Sequence, residues 1–204
     1  MPFNSESVRL AQRHLKKSDP VMRRLIEAVG PFTLRLDRDR FRMLVRSIIS
    51  QQISGKAAQS IRKRLEALVA PEKISPHNLA ALSVAKLRSA GVSPQKAGYL
   101  HDLAAKVDSG AVRLHRVARM TDDEVIAELV QVKGIGVWTA QMCLMFSLGR
   151  LDVFPHDDLG IRAALKNLYG LADLPDKQTS IEIASRWRPY ATIASWYCWR
   201  SHEL

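Results

Sequence analysis

The chain has 204 residues, 47% of them apolar, which is enough for one compact unit or two small helical lobes and argues against disorder. Lysine and arginine outnumber aspartate and glutamate 31 to 20, a formal charge of +11, and an excess of this size on an enzyme-sized chain points to a polyanionic partner such as nucleic acid. Two cysteines, Cys143 and Cys198, both in apolar helical contexts, argue against a disulfide framework.

The first two elements are expected over 5–17 and 19–29, the second beginning at Asp19-Pro20 and ending before Gly30-Pro31. A helix over about 39–50 follows, with Phe41, Leu44, Val45, Ile48 and Ile49 at amphipathic spacing. It ends in Ser50-Gln51-Gln52-Ile53-Ser54-Gly55, and the next helix carries Ala58, Ile61, Leu65 and Leu68. Ser75-Pro76 and Ser93-Pro94 each read as an N-cap with proline at the first helical position. The helix from Pro94 carries Ala97, Leu100, Leu103, Ala104 and Val107 and stops near Gly110.

Thr121-Asp122-Asp123-Glu124 is a capping-box pattern that opens a helix with Val125, Ile126, Leu129 and Val130 on one face. After Lys133-Gly134-Ile135-Gly136, the run from Val137 to Leu148 is apolar nearly all round, as in a buried helix, and at about 12 residues is too short to span a bilayer. No segment alternates with period two, so the fold class is all-α. The six histidines (14, 77, 101, 115, 156, 202) have no metal-ligand spacing, and no metal is expected. With no signal-peptide pattern at Met1 and no long apolar run, an intracellular location is expected, cytoplasmic or nucleoid.

Glycines flanking one apolar residue ahead of a helix let the backbone turn sharply and let another backbone approach closely. The unpaired amides at the helix start, with the positive end of the dipole behind them, suit an anion such as a nucleic-acid phosphate. The same turn also serves as a plain helix–helix connection in which glycine only relieves strain. The turn alone does not separate the two.

The pattern Leu129-x-x-Val132-Lys133-Gly134-Ile135-Gly136-Val137-Trp138-Thr139-Ala140, followed after a loop by Asp157-Asp158-Leu159-Gly160-Ile161-Arg162, resembles the helix-hairpin-helix DNA glycosylase superfamily, and within it the 3-methyladenine DNA glycosylase II type for alkylated bases. The resemblance runs from about residue 30 to the end. It implies two helical lobes bracketing a DNA-binding cleft, one over about 33–115 and the other made of 1–32 with 116–204, the latter holding the helix-hairpin-helix (about 121–148) and the start of the catalytic helix. There is no room for the additional β-domain of some relatives.

The resemblance also implies roles. Asp158 is the catalytic carboxylate, selected over Asp157 because the family's aspartate precedes two residues, then Ile or Val, then a basic residue; on local sequence alone Asp158 reads equally as a helix cap. Trp138 stands where relatives that also cut the backbone have a lysine, so no Schiff base forms and water is the nucleophile. Its indole face suits a cationic purine such as 3-methyladenine or 7-methylguanine. Trp199 matches a second aromatic pocket position, and Met142 and Leu159 stand where some relatives have tyrosine. Gln51-Gln52-Ile53 resembles the wedge that fills the gap left by a flipped base, with Gln52 in the intercalating place. Lys133, Gly134, Gly136 and Thr139 are expected to meet phosphate.

Two cysteines cannot hold the four-cysteine iron–sulfur cluster of some relatives, so no cofactor is expected beyond a monovalent cation on the hairpin carbonyls. The implied activity is a monomeric base-excision repair enzyme that flips alkylated purines out of double-stranded DNA and hydrolyses the N-glycosidic bond. Its alternatives are a non-catalytic helix-hairpin-helix DNA-binding module and a glycosylase for deaminated or other damaged bases.

Overall fold

Small polar side chains set most helix starts in this chain by accepting bonds from the amides that a helix leaves unpaired. The computed structural model describes residues 3–204, and every regular element among them is helical. Asn4, Asp19, Asp39 and Ser54 cap α1 (Ser5–Ser18), α2 (Pro20–Val29), α3 (Arg40–Ser50) and α4 (Gly55–Val69). Ser75, Ser83 and Ser93 cap α5 (Pro76–Ala80), α6 (Val84–Ser89) and α7 (Pro94–Asp108), with proline in the first turn of α5 and α7 as the sequence predicts. Thr121 and Glu124 form the reciprocal box at the head of α8 (Asp122–Leu129).

α9 (Val137–Cys143) has only seven residues and passes into a π-helical turn, Leu144–Leu148, closed by a 2.9 Å bond from the Arg150 amide to the Leu144 carbonyl. The run from Val137 is therefore not one buried helix: Val137 and Trp138 are exposed at its start, and only from Thr139 does it turn inward. Asp158 and Asp176 cap α10 (Leu159–Tyr169) and α11 (Lys177–Ser185), and α12 (Ala191–Arg200) follows. No helix among the described residues is long and apolar enough to cross a membrane.

The chain divides into two compact units, one holding the residues up to Leu36 together with Leu144–Leu204, the other Asp37–Cys143. In the first, Leu15, Met22, Leu25 and Ile26 are buried with Ile161 and Leu165 of α10 and with Ile193, Ala194 and Tyr197 of α12. Fully buried Asp19 lies in this core. One of its oxygens caps α2 through the amides of Val21 (2.9 Å) and Met22 (3.3 Å), and the other accepts the Tyr169 hydroxyl (2.5 Å) and the Trp187 indole N–H (3.1 Å). Burial first, then the neighbouring carboxylate, push the Tyr169 hydroxyl far above its ordinary pKa, so it remains a donor.

In the second unit α7 packs against α5, α6 and α3, and α9 packs against α3 and α8. This differs from the division expected from the sequence, which put everything after 115 with the N-terminal helices. The hairpin segment instead joins the central helices, because specific bonds hold it there. Buried Glu128 of α8 accepts the Arg113 amide (2.7 Å) and guanidinium (3.2 Å), and the Lys106 ammonium reaches the Gln131 carbonyl (2.6 Å). Residues 1 and 2 of the expected 1–32 range lie outside the described residues.

Asp19→Ala leaves the Tyr169 and Trp187 donors buried without an acceptor and removes the α2 cap. It is expected to cost roughly 3–5 kcal/mol in urea unfolding, against about 1–2 kcal/mol for Tyr169→Phe.

Candidate active site and nucleic-acid interface

The carboxylate singled out by the sequence is held by two donors on one oxygen. Asp158 Oδ1 accepts the Ile161 amide (2.8 Å) as the N-cap of α10 and the Trp199 indole N–H (2.9 Å) from α12. The approach to α10 is tied down as well. The Asp158 amide bonds the Pro155 carbonyl (2.9 Å), and Thr192, near the start of α12, donates its hydroxyl to the Arg150 carbonyl (2.6 Å) while accepting the Val153 amide (3.0 Å). Asp158 is 9% exposed, so it is held firmly without being sealed off, at a helix N-terminus that suits an anion. Asp157, the rival, has a side chain 73% exposed and 2.9 Å from His156 Nδ1.

Within this unit Gly160 leaves room for the arrangement. A Cβ there would lie 3.1 Å from Asp158 Oδ1 and 3.3 Å from the Trp199 ring. Phe146 packs on the same indole at 5.5 Å between centroids, and Arg162 binds the Pro175 carbonyl (2.9 Å), a bracing contact.

In the other unit the hairpin runs from α8 to α9. Gly134 has φ +81, and a Cβ on it would come within 2.2 Å of the Tyr99 ring, so glycine is required twice over. Gly136 is different. A Cβ there would meet nothing within 4 Å, and its open face is free for approach from outside. The Lys133 amide donates to Asp102 Oδ2 (2.8 Å), which also accepts the Lys106 ammonium (2.8 Å). Burial acts to raise the pKa of Asp102, but these bonds and the two lysine charges more than offset it and hold the carboxyl below its ordinary value.

The carbonyls of Val132, Gly134 and Gly136 accept the Ile135 amide (3.0 Å), the Gln51 side-chain amide (2.7 Å) and the Ala140 amide (3.1 Å). A carbonyl keeps a second lone pair after one such bond, so the donor chemistry of this turn is compatible with a monovalent cation.

The turn after α3 is built in the same unit. Gln51 turns its side chain to the hairpin, while exposed Gln52 takes a left-handed conformation (φ +57) and Ile53 is also exposed. The sequence grouped these three residues. The structure separates them, one tied inward and two outward.

A family model for HhH-GPD superfamily base excision DNA repair proteins matches residues 45–189, more than half of the chain. The chain belongs to this superfamily. It is 32% identical over 203 residues to DNA-3-methyladenine glycosylase 1 of Schizosaccharomyces pombe, covering 97% of this chain and 89% of that protein. Among solved structures, 3-methyladenine DNA glycosylase of the same yeast, in complex with abasic DNA, superposes with a TM-score of 0.86 at 32% identity, over 95% of this chain and 97% of that one. A DNA-3-methyladenine glycosidase from Bacillus halodurans gives 0.83 at 36% identity, over 94% and 88%.

As a superfamily member, the chain places its sequence-predicted residues unevenly. In the Asp37–Cys143 unit, Trp138 is 42% exposed, which speaks against a purely core role, and the Lys133 side chain is exposed. Thr139 and Met142 are buried, which argues against a phosphate contact for the Thr139 hydroxyl. In the other unit Leu159 is 65% exposed at the head of α10, and Trp199, expected only as a pocket aromatic, is a hydrogen-bond partner of Asp158. Sequence reasoning did not find Tyr99, Lys96, Asp102 or Gly160. Gly160 adjoins a proposed catalytic residue, a signal that could have found it. The others carry no local signal, because the hairpin and turn residues they hold are 30 or more residues away in the chain.

Gly134→Ala forces a strained φ and displaces the Tyr99 ring. A loss of about 2 kcal/mol or more in stability is expected, with affinity for undamaged duplex, read by fluorescence anisotropy, down at least about tenfold.

Proposed function

We propose that the protein is a DNA-3-methyladenine glycosylase that removes alkylated purines from double-stranded DNA by hydrolysing the N-glycosidic bond, without strand cleavage. The observation that carries the reading is the anchored carboxylate. Asp158 Oδ1 is fixed by the Ile161 amide and the Trp199 indole in a chain of the base excision superfamily.

Departure of the base leaves positive charge on the deoxyribose. A carboxylate locked in one orientation stabilises that charge without having to reorganise, and it can orient the attacking water. A base such as 3-methyladenine is itself cationic, so its bond to the sugar is already weakened and modest electrostatic help suffices. The exposed indole of Trp138 offers a face for such a cation. It has no amine for a Schiff base, which makes water the nucleophile.

The hairpin around Gly134 and Gly136 meets the phosphate backbone, and Gln52 with Ile53 fills the gap left by the extruded base. A monovalent cation on the hairpin carbonyls would add positive charge toward a phosphate, and no chemical step depends on it. The protein acts as a monomer, inside the cell where DNA is found.

The decisive experiment scores duplexes bearing 3-methyladenine, 7-methylguanine, a deaminated base or an oxidised base separately for free base and for strand breaks. Release of methylated purines with intact strands is expected. Binding without release of any base would make the chain a non-catalytic DNA-binding module. Asp158→Asn retains the cap, because asparagine also accepts from the amides of the first turn, and duplex affinity is expected to persist while base release falls by about 10²–10³-fold or more. Trp138→Ala is expected to slow release of cationic bases more than of neutral ones, and equal losses would remove its role toward the cation.

A further inference from the structure

Helices commonly close with glycine in the left-handed conformation just beyond the last turn, where no side chain opposes it. α3 has none. Its C-cap, Gln51, is extended (φ −56, ψ 129), and the left-handed residue that follows is Gln52, whose side chain makes that conformation costly by about 1–2 kcal/mol. Something outside the helix must hold the turn.

Lys96, in the first turn of α7, donates its ammonium to the Ile49 carbonyl (2.7 Å) and to the Gln51 carbonyl (2.6 Å). A cation on the last carbonyls of a helix is well placed, and charge-assisted bonds of this length are strong. The Gln51 carbonyl shares a peptide plane with the Gln52 amide, so fixing the first fixes where Gln52 begins.

The same face of α7 also holds the hairpin. Tyr99, three residues on, covers Gly134. Asp102, three further, accepts the Lys133 amide, and Lys106 donates to the Gln131 carbonyl. The Gln51 side chain then links turn to hairpin directly through the Gly134 carbonyl (2.7 Å).

We propose that Lys96 is a positioning residue for the gap-filling turn, and that α7 acts as a splint that fixes that turn and the hairpin in one register before DNA arrives. The inference rests on the proposed glycosylase reading for its purpose, since a pre-ordered turn saves the entropy of ordering it on the duplex. Lys96 acts through Gln52 and touches no reacting atom.

The test uses the full chain with Lys96→Met, Lys96→Arg, Gln52→Ala and the Lys96→Met/Gln52→Ala double variant. Hydrogen exchange of the free protein reads the turn without DNA, and Lys96→Met is expected to speed exchange over residues 50–54 about tenfold while Lys96→Arg restores it. Gap filling is read by 2-aminopurine fluorescence in a duplex carrying a tetrahydrofuran abasic analogue. Lys96→Met and Gln52→Ala are each expected to lower that signal about fivefold or more, and the double variant no further, as for two residues acting as one unit.

Unchanged exchange over 50–54, or losses that multiply in the double variant, would overturn the proposal. So would a uniform loss of undamaged-duplex affinity with a salt slope shallower by about one, the mark of a direct phosphate contact. If Lys96→Met does not fold, Lys96→Gln, with a single neutral donor group, is expected to be intermediate in both readouts, and wild-type values there overturn the clamp. If the wild-type protein fills no gap, the glycosylase reading fails while exchange in the free protein still decides whether Lys96 holds the turn.

Discussion

One carboxylate oxygen accepting both a helix-end amide and an indole N–H is the constraint on which the proposed chemistry depends. A free aspartate samples several rotamers, and each sampled rotamer dilutes the field at any given point. Asp158 cannot do so without giving up the bond to Ile161 or the bond to Trp199. Much of its own unit serves this restraint. Thr192 braces the loop that leads to α10, and Gly160 keeps the space beside the indole clear. In the proposed reaction the positive charge of an alkylated purine does the remaining work.

The sequence was most informative where cause and effect are neighbours in the chain. Caps at Ser75, Ser93 and Thr121, and the amphipathic face of α3, are local grammar, and the helices they announce are present. The preference for Asp158 over Asp157 likewise rests on a contiguous motif. Legibility ended where partners are distant. Lys96 reads as one more surface lysine until its contacts with Ile49 and Gln51 are seen, and Trp199 reads as packing until its N–H is found on Asp158.

The division of the chain was missed for the same reason. No local feature near residue 115 reveals that Glu128 is paired with Arg113, or that Lys106 reaches Gln131. These bonds keep the hairpin with the central helices, so the segment predicted to meet phosphate and the turn predicted to enter the duplex belong to one compact unit. The π-helical turn at Leu144 marks where the chain passes from this unit to the other, within a continuous helical run.

The two hairpin glycines also differ in what would reveal their importance. Gly134 is demanded from within, by its own backbone angle and by an aromatic ring, so any heat-denaturation survey would flag it. Gly136 faces empty space and owes nothing to the fold. A library sorted only by melting behaviour would pass substitutions there as harmless, and under the proposed function their defect would surface only when a second backbone tried to occupy the room the missing side chain had left.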